Sequence, residues 1–407
     1  MRVKRKHKGR PLTVSVGLLI LIVQLLFEEF RIGYSSHRPY TFSSSPFSFS
    51  ACLLMKDDNI ILPEWLAYHY TFLPLQRLIV AVDPLSVTDP EPILNRYRSL
   101  GMDITIWRTD TQNYLRYSKT GKYAEDPQKK PNFNFNLGPD ETYSFHLLRQ
   151  RAFYGACLRT LKEEGRTWTA VVDTDEFINF NYYDKKEGTP SVCHGNSSCI
   201  ETYQQSIQDG THFRTKLNVS RTAAEHIEEG LDPLFHTPEK SCIVMPRYVF
   251  GSATSGDDIR IPPIFNVSYF HTIRYRHRTS LGQLQPGKSI VDASRYNGSV
   301  IKDPHRLYDG SACTGSNAYA HKSEMSFRVH HYVGTWESFR RPGSDAQSLR
   351  KFEQRNSMGY SEVDNVASMQ KSLWLSEFVL RVGIKRAFDL TQQLRIEAEE
   401  EMGKFFD

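Results

Sequence analysis

The chain contains no Gly-x-Gly-x-x-Gly run and no Walker-type glycine loop. Any phosphate it binds is therefore gripped by something other than a glycine cradle at a helix start. It has no Cys-x-x-Cys pair, and the adjacent Cys193 and His194 lack the spacing of a zinc site. An excess of one charge is missing too. Six basic residues (Arg2, Lys4, Arg5, Lys6, Lys8, Arg10) crowd the first ten positions, and the rest carries 45 basic against 46 acidic residues, a balance of −1. A near-neutral body has no surplus with which to neutralise a phosphate backbone, so nucleic acid is not an expected partner. No internal repeat is present. Charged residues make up 24% and hydrophobic residues 39%, which excludes a disordered chain and leaves a globular one.

Charge is also missing from Pro11 to Phe27, directly after the basic decapeptide and before Glu28 and Glu29. As a helix this run reaches about 25 Å, short of an average hydrocarbon core of about 30 Å but compatible with a thinner early-secretory membrane. Positive charge on its N-terminal side places that end in the cytosol and the remainder in the lumen. The competing reading is a cleaved signal peptide, but the small-residue cleavage signature is absent and Glu-Glu-Phe-Arg follows instead. Either reading delivers the body to the lumen or outside. Four Asn-x-Ser sequons, at Asn196, Asn218, Asn266 and Asn297, are glycosylation candidates in such a compartment. Six cysteines permit up to three disulfides. Cys193 and Cys199, close together in a polar loop, are the favoured pair, while Cys52 in an apolar strand fits a plain buried thiol.

What is present beyond residue 48 is alternation. Short apolar runs at Phe49–Met55, Arg77–Val82, Asp103–Trp107 and Trp168–Val172 read as buried strands. Between them, Pro63–Phe72, the stretch opened by Asp89-Pro90 and closed by Gly101, and Asp140–Gly165 read as helices. This pattern predicts an α/β fold, a mostly parallel sheet flanked by helices, with ligands beyond the carboxyl ends of the strands. Later strands are expected at Cys242–Phe250 and Ile264–Thr272, and the chain turns helical beyond Thr335. The expected organisation is a cytosolic tail (1–10), a transmembrane signal anchor (11–27), a stem rich in Ser and Pro (28–48), a catalytic domain (49–390) and a helical tail (391–407).

The sharpest chemical signal is the sequence Asp173-Thr174-Asp175-Glu176 at the end of the buried strand Trp168–Val172. Paired carboxylates at a strand end suit a hard cation such as Mn²⁺ or Mg²⁺. Such a cation can stabilise the charge that grows on a departing diphosphate.

In this context the chain resembles glycosyltransferase family 92, whose members have the GT-A (Rossmann-like) fold. The resemblance runs over about residues 50–385 as a series of blocks in the family's order: CLLMKDDN at 52–59, PEWLAYH at 63–69, Arg149-Gln150 with Phe153, Tyr154 and Cys157, WTAVVDTDEF at 168–177, Lys288 to Val291, and His330-His331-Tyr332 with Thr335-Trp336-Glu337. Asp57-Asp58 stands where many relatives carry Asn-Glu. The resemblance implies a type II Golgi (or ER) membrane enzyme that moves a hexose, most commonly galactose, from a UDP-sugar to a glycan acceptor, with Mn²⁺ and with inversion. Matched by motif, Asp173, Asp175 and His331 are the implied metal ligands. Lys56, Asp57, Asp83, Arg149 and Lys288 are implied on the nucleotide-sugar side, with Glu64 and His69 structural in the opening helix. An inverting transfer needs a base on the acceptor hydroxyl. Asp257 and Asp258, in a Gly/Ser-rich loop, are the first candidates, with Glu324 and Glu337 as further options. A non-catalytic glycan-binding or scaffold protein of the same fold, or a metal-dependent hydrolase, are the alternatives.

Overall fold

The computed structural model describes residues 49–83, 86–108, 139–180, 241–251, 263–279, 285–298, 301, 305, 313–314, 327–332, 346–357, 359–360, 362–363 and 373–405. The basic tail, the apolar run 11–27, the stem, Asn196, Asn218, Cys193, Cys199, Asp257, Asp258, Glu324 and Glu337 lie outside these residues. No helix among the described residues is long and apolar enough to cross a membrane.

The four strands expected from apolar runs are present: β1 (Phe49–Met55), β2 (Leu75–Val82), β3 (Asp103–Trp107) and β4 (Trp168–Val171). They pair in parallel in the order β3-β2-β1-β4. Beyond β4 the sheet changes character. β8 (Gln285–Asp292) runs antiparallel to both β4 and β6 (Cys242–Phe250), the short β7 (His277–Arg278) lies antiparallel to β6, β10 (Phe327–Tyr332) lies parallel to β6, and β5 (Glu176–Phe180) lies antiparallel to β10. The sheet is therefore mixed rather than mostly parallel. β8 and β10 escape a reading by apolar runs because they carry polar and charged residues (Lys288, Ser289, Arg328, His330, His331) that break the signal of a buried strand.

Side chains alternate across a strand, so one strand feeds two cores. Phe49, Ala51, Leu53 and Met55 of β1 enter one core, and Cys52 and Leu54 enter the other. The first core is covered by α1 (Leu62–Phe72), α2 (Glu91–Arg98), α6 (Leu373–Val382), α7 (Ile384–Phe388) and α8 (Leu394–Gly403), through Trp65, Leu66, Tyr97, Trp374, Phe378 and Leu394 among others. The second is covered by α3 (Pro139–Glu163), through Phe153, Tyr154, Leu158 and Leu161. This is an α/β/α sandwich. Every position of β1 is buried, and each fully buried large apolar side chain there contributes about 1.5–3 kcal/mol.

The reading of Cys52 as a lone thiol is corrected: it is bonded to Cys157 of α3, and Cys242 of β6 is bonded to Cys313 of β9 (Cys313–Thr314). The first bond pins α3 to the strand beneath it. The strand expected at Ile264–Thr272 is instead a 3-10 turn (Val267–Tyr269) followed by the one-turn helix α4 (His271–Arg274). Two caps win over the apolar pattern there. Asn266 Oδ1 accepts from the Ser268 N–H, and the buried Glu64 carboxylate accepts from the His271 and Thr272 N–H groups at 2.8 Å each. The helical C-terminus is present as α5 (Ala346–Asn356) and α6 to α8. Position 390 falls within a helical run, where a π-turn (Asp389–Gln393) joins α7 to α8 and Leu390, Leu394, Ala398 and Met402 all enter the first core.

Candidate active site

The acidic sequence sits where β4 ends, at the carboxyl side of the parallel strands. The chain turns sharply there, with the Glu176 N–H bonded to the Asp173 carbonyl at 3.1 Å, and then leaves as β5. That turn brings carboxylate oxygens of Asp173, Asp175 and Glu176 to within 4.8 Å of one another. Asp173 and Asp175 keep about a third of their side chains exposed, at 32% and 27%, whereas Glu176 is fully buried.

Each carboxylate has its own support. Asp173 Oδ1 accepts from Gln150 Nε2 at 2.8 Å and from the Tyr154 hydroxyl at 3.2 Å, both on α3. Its Oδ2 accepts from Lys288 Nζ of β8 at 2.7 Å. Asp175 Oδ2 accepts from His331 Nε2 at 2.9 Å. Strand register explains that contact: β10 lies antiparallel to β5 with His331 opposite Glu176, and the Tyr332 N–H bonds the Asp175 carbonyl. Glu176 is a brace. Its Oε1 accepts from Arg247 at 2.6 Å, and its Oε2 accepts from the Asp173 N–H at 2.9 Å and lies 3.2 Å from Lys288 Nζ.

The electrostatics follow. Burial alone would raise all three acids. For Asp173 the Lys288 ammonium outweighs burial and holds the acid below its usual range. For Asp175 the nearby His331 does the same, and the carboxyl falls well below that range. For Glu176, Lys288 and Arg247 bring it down to about 2. Lys288 loses hydration, yet Asp173 and Glu176 raise its pKa above the usual value. With His331 neutral, three carboxylates against the two fixed cations Lys288 and Arg247 leave one negative charge, which a divalent ion would convert to one positive charge, the sign that a diphosphate needs.

The residues expected on the nucleotide side fall at the same end of the sheet. Lys56 and Asp57 follow β1 and Asp83 follows β2. Asp83 is wholly buried and paired with Arg149, whose Nε donates to Asp83 Oδ2 at 2.9 Å. Asp57 has a left-handed backbone (φ 55°), and its Oδ1 accepts from Ser86 Oγ, the Val87 and Thr88 N–H groups and Thr88 Oγ1 at 2.8–2.9 Å. It thereby fixes the loop that follows β2. Glu64 and His69 are buried in α1 as expected of structural residues. Asn266 and Asn297 are exposed.

Sequence reasoning did not assign Gln150, Tyr154, Arg247 or His305 to the site, and it read Glu176 only as part of the acidic run. Arg247 had a signal, being the one charge in the otherwise apolar run CIVMPRYVF. His305 feels Asp173 and Glu176 as well, but burial and then the Lys288 and Arg247 charges push it down to about 4.

The donor set fits a hard divalent cation. Among the described residues both lone pairs of Asp175 Oδ1 remain available, whereas Asp173 Oδ2 already accepts from Lys288 Nζ and has one lone pair left. Glu176 has both oxygens engaged, so it supports the other two.

No protein-family model and no curated protein sequence matches the chain. Among solved structures, S. aureus TarS 1-349 is similar over 88% of this chain and 91% of that chain, at 12% identity and a TM-score of 0.26. The same protein in complex with UDP-GlcNAc is similar over 88% of this chain and 80% of that chain, at 10% identity and a TM-score of 0.29. A putative glucose-1-phosphate thymidylyltransferase from Bacillus anthracis in complex with a sucrose is similar over 79% of this chain and 99% of that chain, at 9% identity and a TM-score of 0.26. Overlaps this low assign neither a family nor an activity.

Proposed function

We propose that this chain is a metal-dependent glycosyltransferase of GT-A architecture that uses a UDP-hexose donor. The observation that supports it most is the convergence of Asp173 and Asp175, partly exposed and braced from three elements, at the carboxyl edge of the parallel strands. The block resemblance to family 92 supports galactose as the sugar and a glycan as the acceptor.

Asp173 and Asp175 would hold the cation, Mn²⁺ in this reading; His331, expected from the sequence as a third ligand, has its Nε2 on Asp175 Oδ2 and would instead orient that carboxylate. When bound, the cation neutralises charge on the diphosphate as the sugar leaves. The acceptor oxygen forms a bond to the anomeric carbon, and the bond from that carbon to the diphosphate breaks with inversion. The acceptor proton passes to a carboxylate, for which Asp257 and Asp258 are the candidates. Lys56 and Asp57, with the Asp83–Arg149 pair, lie on the nucleotide side. The apolar run 11–27 would anchor the protein in the Golgi or ER membrane with the catalytic domain lumenal, where the four sequons would be modified.

The test is a panel of UDP-sugars offered to the protein with Mn²⁺, reading release of UDP and transfer to a glycan. Turnover that survives intact in Asp173→Ala and Asp175→Ala removes the metal role and the proposal built on it.

A further inference from the structure

Lys288 was expected on the nucleotide-sugar side, and in the structure it reaches the acidic turn itself. Its side chain is fully buried, and its ammonium touches two carboxylates, Asp173 Oδ2 at 2.7 Å and Glu176 Oε2 at 3.2 Å. The backbone holds it there. β8 and β6 pair with a register shift between Met245 and Arg247, and a Cβ at Gly287 would come within 2.4 Å of the Met245 carbonyl oxygen. Only glycine permits this approach, so the neighbouring Lys288 is fixed against the acidic turn rather than free to swing out.

Resting on the transferase reading, we infer that Lys288 is a positioning residue that stands in for the metal in the metal-free protein and competes with it for Asp173 Oδ2. The accounting is local. Asp173 Oδ1 is already taken by Gln150 and Tyr154, so the only oxygen of Asp173 left for a cation is the one that Lys288 holds. Asp175 Oδ1 has no such competitor among the described residues. Asp175 is therefore the stronger anchor and Asp173 the shared one. Without Lys288, three acids gathered by one turn would repel each other whenever the metal is away. With it, the turn stays assembled and cation affinity is held down.

The experiment measures binding of Mn²⁺ alone to the full chain, by the electron paramagnetic resonance of free Mn²⁺, together with thermal unfolding at rising Mn²⁺. Lys288→Gln keeps a donor toward both carboxylates but removes the charge, and Lys288→Met removes both. We expect Lys288→Gln to bind Mn²⁺ at least about fivefold more tightly, because a unit charge a few ångströms away opposes the cation even after solvent screening. Its melting temperature should fall without metal and recover further with metal than the native protein's does. Lys288→Arg should stay near native affinity. Native-like or weaker binding by a folded Lys288→Gln overturns the inference while leaving the transferase reading intact. If Lys288→Met folds only with Mn²⁺, the stand-in role is supported directly. If neither the native chain nor any variant binds Mn²⁺, the transferase reading falls and this inference with it.

Discussion

The Trp65 indole N–H donates to the backbone carbonyl of Glu176 at 3.0 Å, joining the opening helix to the acidic turn across 111 positions of sequence. Both groups are buried. Trp65 also faces His69 one turn later, with ring centroids 4.3 Å apart. The helix that begins the domain is thus one wall of the site.

Trp65→Phe keeps one aromatic ring in the core but loses the second ring of the indole and its N–H, leaving the Glu176 carbonyl without that donor. An orphaned buried acceptor costs about 1–3 kcal/mol. Chemical denaturation should show a loss in that range, with an unchanged dependence on denaturant concentration. A variant as stable as the native protein would mean that the hydrogen bond from the indole to the Glu176 carbonyl contributes nothing to stability.

Asp175→Asn keeps the shape and an acceptor for His331 but removes the charge. Loss of the stronger anchor should abolish Mn²⁺-dependent thermal stabilisation and lower turnover by about 100-fold or more. Asp173→Asn should be milder in Mn²⁺ binding, since Lys288 already draws on that carboxylate. Equal losses in the two variants would contradict this ranking.

His69 gives a pH signature. Its Nε2 accepts from the Ile178 N–H and its Nδ1–H donates to the Trp65 carbonyl, so the buried ring is neutral, and burial pushes it down to about 3. In the unfolded chain a histidine takes its proton near pH 6.5. Between those values the unfolded state holds the extra proton, so this contribution is complete above pH 6.5 and is lost as the pH falls toward 3. The slope reaches about 1.4 kcal/mol per pH unit. His69→Gln should flatten the pH dependence of unfolding between about pH 6.5 and 5, a window above the range where carboxylates titrate. Parallel slopes in native and variant would refute the assignment.

The Cys52–Cys157 bond closes a sequence separation of 105 residues and lies wholly inside the second core. Replacing both with alanine should cost about 2–5 kcal/mol. Differential scanning calorimetry under non-reducing conditions reads it. A loss confined to the cavity cost of two small side chains would show that the covalent tie adds nothing.

Strands β1 to β4 were legible in the sequence because helices cover both faces of the sheet, and burial on both sides writes an unbroken apolar run. β5 was hidden because it opens with the fully buried Glu176 and carries Asn179, side chains that read as surface unless their buried partners are known. Those partners arrive from distant strands: Glu176 meets Arg247 of β6 and Lys288 of β8, Asn179 faces His330 of β10, and the preceding Asp175 meets His331 from 156 positions away. Asp173 and Asp175 were legible as a motif, since adjacent acids after a buried strand are visible in one dimension. Gln150, Tyr154 and Arg247 were not, because a polar residue facing a carboxylate differs from an ordinary surface residue only in three dimensions. The 264–272 stretch misled for a related reason: the cap that makes it helical is Glu64, about two hundred positions earlier.

The closing helix reaches back into the heart of the molecule: Leu394, Ala398 and Met402 fill the same core as Trp65 and Trp374. A shortened version that stopped at residue 390 would strip three greasy plugs from beneath the opening helix and leave the wall bearing Trp65 standing over a void. Trimming this end would therefore be felt at the acidic turn, and a fusion tag belongs after Phe405 rather than in place of anything before it.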